Sequence, residues 1–178
     1  GKRGEGKSTL LGQILLDAVN QNHKVCAYSG ELPKDQFKLS MLQQAAGYLH
    51  VRKREDERSG RIVYDVDRAV IPAIDEWWNN RLFLTDIQRK DAHDEDNILK
   101  LFEYANRRHG CDVFLVDNIM TASLKDEAAL GFWRAQSAFT GRLVAFSKRF
   151  NVHVHLVAHP RKTQNHLEAD DVGGSSDI

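Results

Sequence analysis

The sequence predicts an α/β fold in which a mostly parallel central sheet is covered by helices on both faces. Three observations carry that expectation. Short apolar runs, Val25 to Ser29, Leu82 to Leu84, Val113 to Val116 and Val152 to Ala158, alternate with segments of helical periodicity. Apart from the Val-His-Val-His start of the last, these runs lack the in-and-out alternation of a half-solvated sheet, as strands buried on both faces should. A Gly-rich segment at the start runs directly into an amphipathic helix, and no internal repeat or low-complexity tract competes.

Taken in order, Leu10, Leu11, Ile14, Leu15 and Val19 recur at helical spacing and predict a helix from Lys7 to about Asn20. Lys24 to Ser29 reads as a short buried strand. A second helix is expected from Lys34 to Ala46, after Pro33, with Phe37, Leu39, Met41 and Leu42 supplying its apolar content. Residues 51 to 60 alternate in charge without an apolar period, which predicts an exposed connection or a frayed helix end. Val66, Val70, Ile71, Ile74, Trp77 and Trp78 predict a third helix, with Pro72 near its start or at a kink. Leu82 to Leu84 follows as a strand. A helix from Asp94 to Arg108 should end near Gly110, and Val113 to Val116 is the next strand. A long helical stretch from about Ala128 to Phe150 then leads into Val152 to Ala158. The segment from Arg161 to Ile178 is polar and contains Gly and Ser, and reads as a loop.

The 178 residues, 42% hydrophobic and 28% charged, suffice for one globular core, so a single domain spanning residues 1–178 is expected. Lys plus Arg equals Asp plus Glu at 25 each, so any nucleic-acid contact must come from a local patch. Cys26 and Cys111 lie in apolar surroundings, without disulfide-framework or zinc spacing, and are expected to be reduced core thiols. No apolar run approaches the roughly 20 residues of a membrane span, and no signal-peptide pattern is present. The expectation is a soluble intracellular protein, cytoplasmic by default, with an organellar matrix as the alternative. The chain opens within a phosphate-binding motif, so it reads as a fragment whose first strand, the one that should precede Gly1, lies outside it.

Gly1-Lys2-Arg3-Gly4-Glu5-Gly6-Lys7-Ser8 matches G-x-x-x-x-G-K-[ST] in full and stands immediately before the first helix. The spacing serves phosphate binding. Gly1, Gly4, Glu5, Gly6, Lys7, Ser8 and Thr9 form the expected nucleotide-binding segment: backbone N–H groups approach phosphate oxygens, and the helix N-terminus adds positive potential. Lys7 is expected to reach the β and γ phosphates, and Ser8 to ligate Mg²⁺. Asp117 ends an apolar strand, where a carboxylate can hold Mg²⁺ through water. Glu31 follows the Val25 to Ser29 strand and should emerge at the same sheet edge, placed to orient or deprotonate a water; a helix-start acid before Pro33 is the structural alternative. His159 caps the last strand, where it could touch the γ-phosphate. His153 and His155 project to one face of that strand, and packed, hydrogen-bonded rings are expected rather than a metal site.

Together these motifs resemble the RecA-like ATPase domain of DnaB-type hexameric helicases, including the branch of the mitochondrial helicase Twinkle and phage primase-helicases. The resemblance covers nearly the whole chain. Ser29-Gly30-Glu31-Leu32-Pro33 is similar to that family's Ser-x-Glu-x-Pro segment, which implies that Glu31 is the catalytic base. Asp117-Asn118 looks like its Mg²⁺-binding Asp at a strand end, and Ala158-His159-Pro160-Arg161-Lys162 resembles a segment whose His senses the γ-phosphate. Asp170 to Ser176 resembles the family's Gly-Ser loop, implying DNA-backbone contact by Gly174, Ser175 and Ser176, with Arg161 and Lys162 as further phosphate contacts. The resemblance implies a three-layer RecA-like fold, hydrolysis of ATP or another NTP with Mg²⁺, a hexameric ring acting on single-stranded DNA, and a primase, fused or separate, as partner. The arginine finger of the family falls beyond Ile178. A strand-exchange ATPase of the RadA or RecA kind, or a ring-forming regulatory ATPase of the KaiC kind, would share the same core.

Overall fold

A computed structural model describes residues 6–88, 91–125, 128 and 131–158 of the chain. Eleven principal elements follow in order: α1 (Lys7–Asn20), β1 (Val25–Ser29), α2 (Lys34–Ala46), β2 (Val51–Glu55), β3 (Ile62–Val66), α3 (Ile71–Trp78), β4 (Leu82–Leu84), α4 (Glu95–Tyr104), β5 (Val113–Asp117), α5 (Phe132–Phe150) and β6 (His153–Leu156). Four of the strands form one all-parallel sheet in the order β4-β1-β5-β6. Parallel neighbours need long crossovers, and the helices supply them while covering the sheet.

The period-two geometry of a strand divides the core into two layers. On one face Val25 and Ala27 of β1 and Val113 and Leu115 of β5 pack with Leu15, Leu16 and Val19 of α1, Phe37 and Met41 of α2, and Ile74 and Trp78 of α3. The alternate residues Cys26, Tyr28, Phe114 and Val116 pack on the other face with Ile98 and Phe102 of α4 and Phe139, Leu143 and Phe146 of α5. Every residue of β1 and β5 is buried, which explains their unbroken apolar runs. Cys26 and Cys111 are both free and buried; burial pushes both thiols up, Cys111 to about 12, so they are packing groups.

Local sequence sets several boundaries. The Asp94 carboxylate accepts hydrogen bonds from the backbone N–H groups of Asp96 and Asn97, both at 3.0 Å, capping α4. That helix passes into a π-helical turn, Ala105–His109, and stops at Gly110, whose φ of 73° is left-handed. Pro72 lies in the first turn of α3, where its missing N–H costs nothing.

Four sequence expectations need correction. Residues 51–55 are neither loop nor frayed helix: β2 pairs antiparallel with β3, Arg52 opposite Asp65 and Lys53 opposite Tyr64. This two-stranded ribbon lies outside the main sheet and its β2 side chains are almost all exposed, so no apolar alternation marked it. Val66 ends β3, and the third helix begins only at Ile71. Gly131, at φ 81° and ψ 154°, interrupts the stretch from Ala128, so α5 starts at Phe132. The last strand is shorter than its apolar run, ending at Leu156.

Among the described residues the one buried charged side chain away from the strand ends is Glu95, paired with Arg142 of α5; Arg142 also reaches Asp96, which Lys125 contacts as well. Lys125 and then Arg142 hold the Asp96 carboxyl well down, to about 2. Two outcomes are expected. Arg142→Met leaves Glu95 buried without its cation and lowers denaturant stability by on the order of 3 kcal/mol. The stabilisation from Asp96 is complete above an unfolded carboxylate's ordinary value of about 4 and is lost as pH falls through about 2, so Asp96→Asn should flatten stability against pH across that window.

Candidate functional site at the ends of two parallel strands

The site is built by topology before it is built by side chains. From β1 the chain crosses to β4 on one side, and from β5 it crosses to β6 on the other. The segments leaving β1 and β5 therefore diverge, opening a crevice at the carboxyl ends of two adjacent strands, the usual place for a ligand in an open parallel sheet. Pairing sets the two ends level. Ser29 stands opposite Asp117, and the Gly30 N–H donates to the Asp117 carbonyl at 2.7 Å.

Helix α1 delivers its N-terminus to the same edge. Its packing through Leu15, Leu16 and Val19 holds the helix against the sheet, and Gly6, at φ 78°, turns the chain into its first residue. Ser8 Oγ then lies 3.4 Å from Asp117 Oδ2, although 109 residues separate them. Asp117 is 3% exposed and Asn118 1% exposed, so both polar groups are taken out of water at the strand end. A hydroxyl and a carboxylate beside a helix N-terminus form a hard-oxygen donor pair, and they fit a Mg²⁺ that takes its remaining ligands from water and phosphate. Among the described residues no group of three or more His, Cys, Asp or Glu side chains is placed to hold a metal ion.

Glu31 comes from the turn after β1, two residues past the pairing with Asp117. Its Oε1 accepts a hydrogen bond of 2.6 Å from Asn118 Nδ2. The structure thus brings Ser8, Glu31 and Asp117 to one edge, with Lys7 in the first turn of α1. Thr9 is exposed and Leu10, counted with the apolar stripe of α1, is 63% exposed. Gly1, Gly4, Glu5, His159, Arg161, Lys162, Gly174, Ser175 and Ser176 lie outside the described residues.

Neither a protein-family model nor a curated protein matches this chain.

The local backbone explains the residues on either side of these groups. Ser29 is buried, and its Oγ accepts from the Leu32 N–H at 3.3 Å, closing the turn that carries Glu31. Gly30 is required by a close approach: a Cβ there would sit 1.8 Å from Thr121 Oγ1. Thr121 itself donates to the Asn118 carbonyl at 2.7 Å. Asn118, quoted only beside Asp117, and Thr121 were not read as site residues because Glu31 and Tyr28, which they meet, are distant in sequence.

The His153 and His155 rings meet edge to face at 4.4 Å on β6, on one side of the strand as its period demands. Desolvation, then the neighbouring His153, holds His155 below the ordinary imidazole value. No described third ligand joins them. No described helix is long and apolar enough to cross a membrane.

Gly30→Ala should lower stability by about 1–3 kcal/mol through overpacking against Thr121, measured by denaturant titration. Adding Thr121→Gly should recover part of that loss; an undiminished Gly30→Ala protein would show that the turn has room the geometry denies it.

Proposed function

We propose that the chain is the NTP-hydrolysing core of a RecA-like ATPase, and that it works as the motor of a DnaB-type helicase on single-stranded DNA. The observation that carries the first part is the meeting of Ser8, from the phosphate-binding motif, with Asp117 at the end of β5, 3.4 Å apart, beside the strand end that bears Glu31. Motif, helix N-terminus and two strand-end carboxylates together match the parts list of phosphoryl transfer. The helicase assignment rests on the sequence resemblance described above.

The triphosphate would lie along the N-terminus of α1, with backbone N–H groups and the Lys7 ammonium offsetting charge on the β and γ phosphates. Ser8 and Asp117 would hold Mg²⁺, which supplies further neutralisation of phosphate charge when bound. Glu31 aligns a water in line with the γ-phosphorus. As the new P–O bond forms, the bond to the β–γ bridging oxygen breaks and the water's proton passes to the Glu31 carboxylate. In this reading His159 senses the γ-phosphate, and Arg161, Lys162, Gly174, Ser175 and Ser176 touch the DNA backbone without regard to base. A homohexameric ring would place each nucleotide between neighbours, with a primase, fused or separate, as partner.

In the full-length protein, Glu31→Gln should retain ATP binding while kcat falls about 100-fold or more. Turnover at the wild-type rate would remove Glu31 from the role of base. ATP hydrolysis should rise on adding single-stranded DNA, and the stimulation should fade as salt increases. Hydrolysis indifferent to DNA at every salt concentration would leave an ATPase core and overturn the helicase reading in favour of a regulatory ATPase.

A further inference from the structure

We propose that Asn118 is a positioning residue that aims the Glu31 carboxylate, and that Thr121 and Tyr28 hold Asn118 in place. The inference rests on Glu31 being the base, and it deepens that reading by naming what orients it. Glu31 is exposed just past a strand end, where each hydrogen bond to a long side chain narrows its choice of rotamers. A general base has to be fixed within hydrogen-bond reach of its water. The Asn118 amide provides one such restraint, donating to Glu31 Oε1 at 2.6 Å from a side chain that is itself buried.

The support behind Asn118 is continuous. Its backbone carbonyl accepts from Thr121 Oγ1 at 2.7 Å, and the Tyr28 hydroxyl lies 3.3 Å from both Thr121 Oγ1 and the Thr121 backbone carbonyl. That hydroxyl also meets His93 Nδ1 at 2.8 Å, while the His93 carbonyl accepts from the Ser123 N–H at 2.6 Å. The 118–123 segment is thereby fastened to β1 and to the turn before α4. Asn118 also follows Asp117 directly, so the residue that aims the base and the residue placed to bind Mg²⁺ move as one piece of backbone.

The choice of an amide is chemically apt. A Lys or Arg at this place would orient Glu31 equally well but would stabilise its charge and weaken it as a base. An amide orients with no net charge.

The test is steady-state and single-turnover ATP hydrolysis by the full-length protein carrying Asn118→Ala, Glu31→Gln and both, with Asn118→Asp and Thr121→Val as companions. Asn118→Ala should lower kcat about tenfold or more with KM for ATP little changed, and should add nothing in the Glu31→Gln background. Asn118→Asp sets a second carboxylate against Glu31, so the acid limb of the kcat profile should move to higher pH. Thr121→Val, which keeps shape and loses the hydroxyl, should give a smaller loss of the same kind. If Glu31→Gln abolishes turnover while Asn118→Ala leaves it unchanged, or if the two losses multiply, the positioning role is overturned and the base stands. Normal turnover by Glu31→Gln would instead overturn the base and the inference with it.

Discussion

The pairing of β1 with β5 is the constraint on which the rest depends. Five consecutive residue pairs, Val25 with Val113 through Ser29 with Asp117, lock two parallel strands so that their carboxyl ends finish level. A slip of one residue would shift Asp117 by about 3.3 Å and send every side chain of the strand to the opposite face. Both cores oppose that slip, because Phe114 and Val116 fill one layer and Val113 and Leu115 the other. The chemistry at the edge is therefore held in register by apolar packing some distance beneath it.

The same strands separate two duties along their length. Within the sheet they are wholly apolar on both faces; at the carboxyl ends they change to Ser29, Asp117 and Asn118, three of the five buried polar or charged residues among those described. Burying such groups is costly unless they are hydrogen-bonded, and here the bonds run to other members of the same edge: Ser29 to the Leu32 N–H, Asp117 to Ser8, Asn118 to Glu31. Several of the groups that would meet a ligand are thus hydrogen-bonded to one another. A polar cluster assembled in this way is rigid, which is what a reaction relying on position and electrostatics requires.

Much of this was legible in the residue pattern, for reasons that can be stated element by element. α1 and α2 have the predicted bounds because the left-handed Gly6 and Pro33 stand at their starts and most of their apolar residues pack against a core. β1, β4 and β5 were readable because strands covered on both faces are continuous apolar runs. The β2–β3 ribbon escaped notice because it has almost no buried face: its stability comes from backbone pairing and cross-strand contacts such as Arg54 with Asp65, which leave no period in the sequence. The start of α5 was misplaced because helical spacing continues across Gly131, whose backbone conformation does not.

The sequence by itself determined the G-x-x-x-x-G-K-S pattern at the head of α1, the strands that lead to Glu31 and Asp117, and the alternation that makes a parallel sheet between helices. These are local properties, written in spacing, polarity and the conformational range of individual residues. Only the tertiary structure decided that β1 and β5 are neighbours with Ser29 level with Asp117, that Ser8 meets Asp117 across 109 residues, and that Asn118, Thr121 and Tyr28 stand behind Glu31. Those relations follow from strand order and crossover direction, which depend on how whole faces pack together, and no segment of the chain encodes them alone.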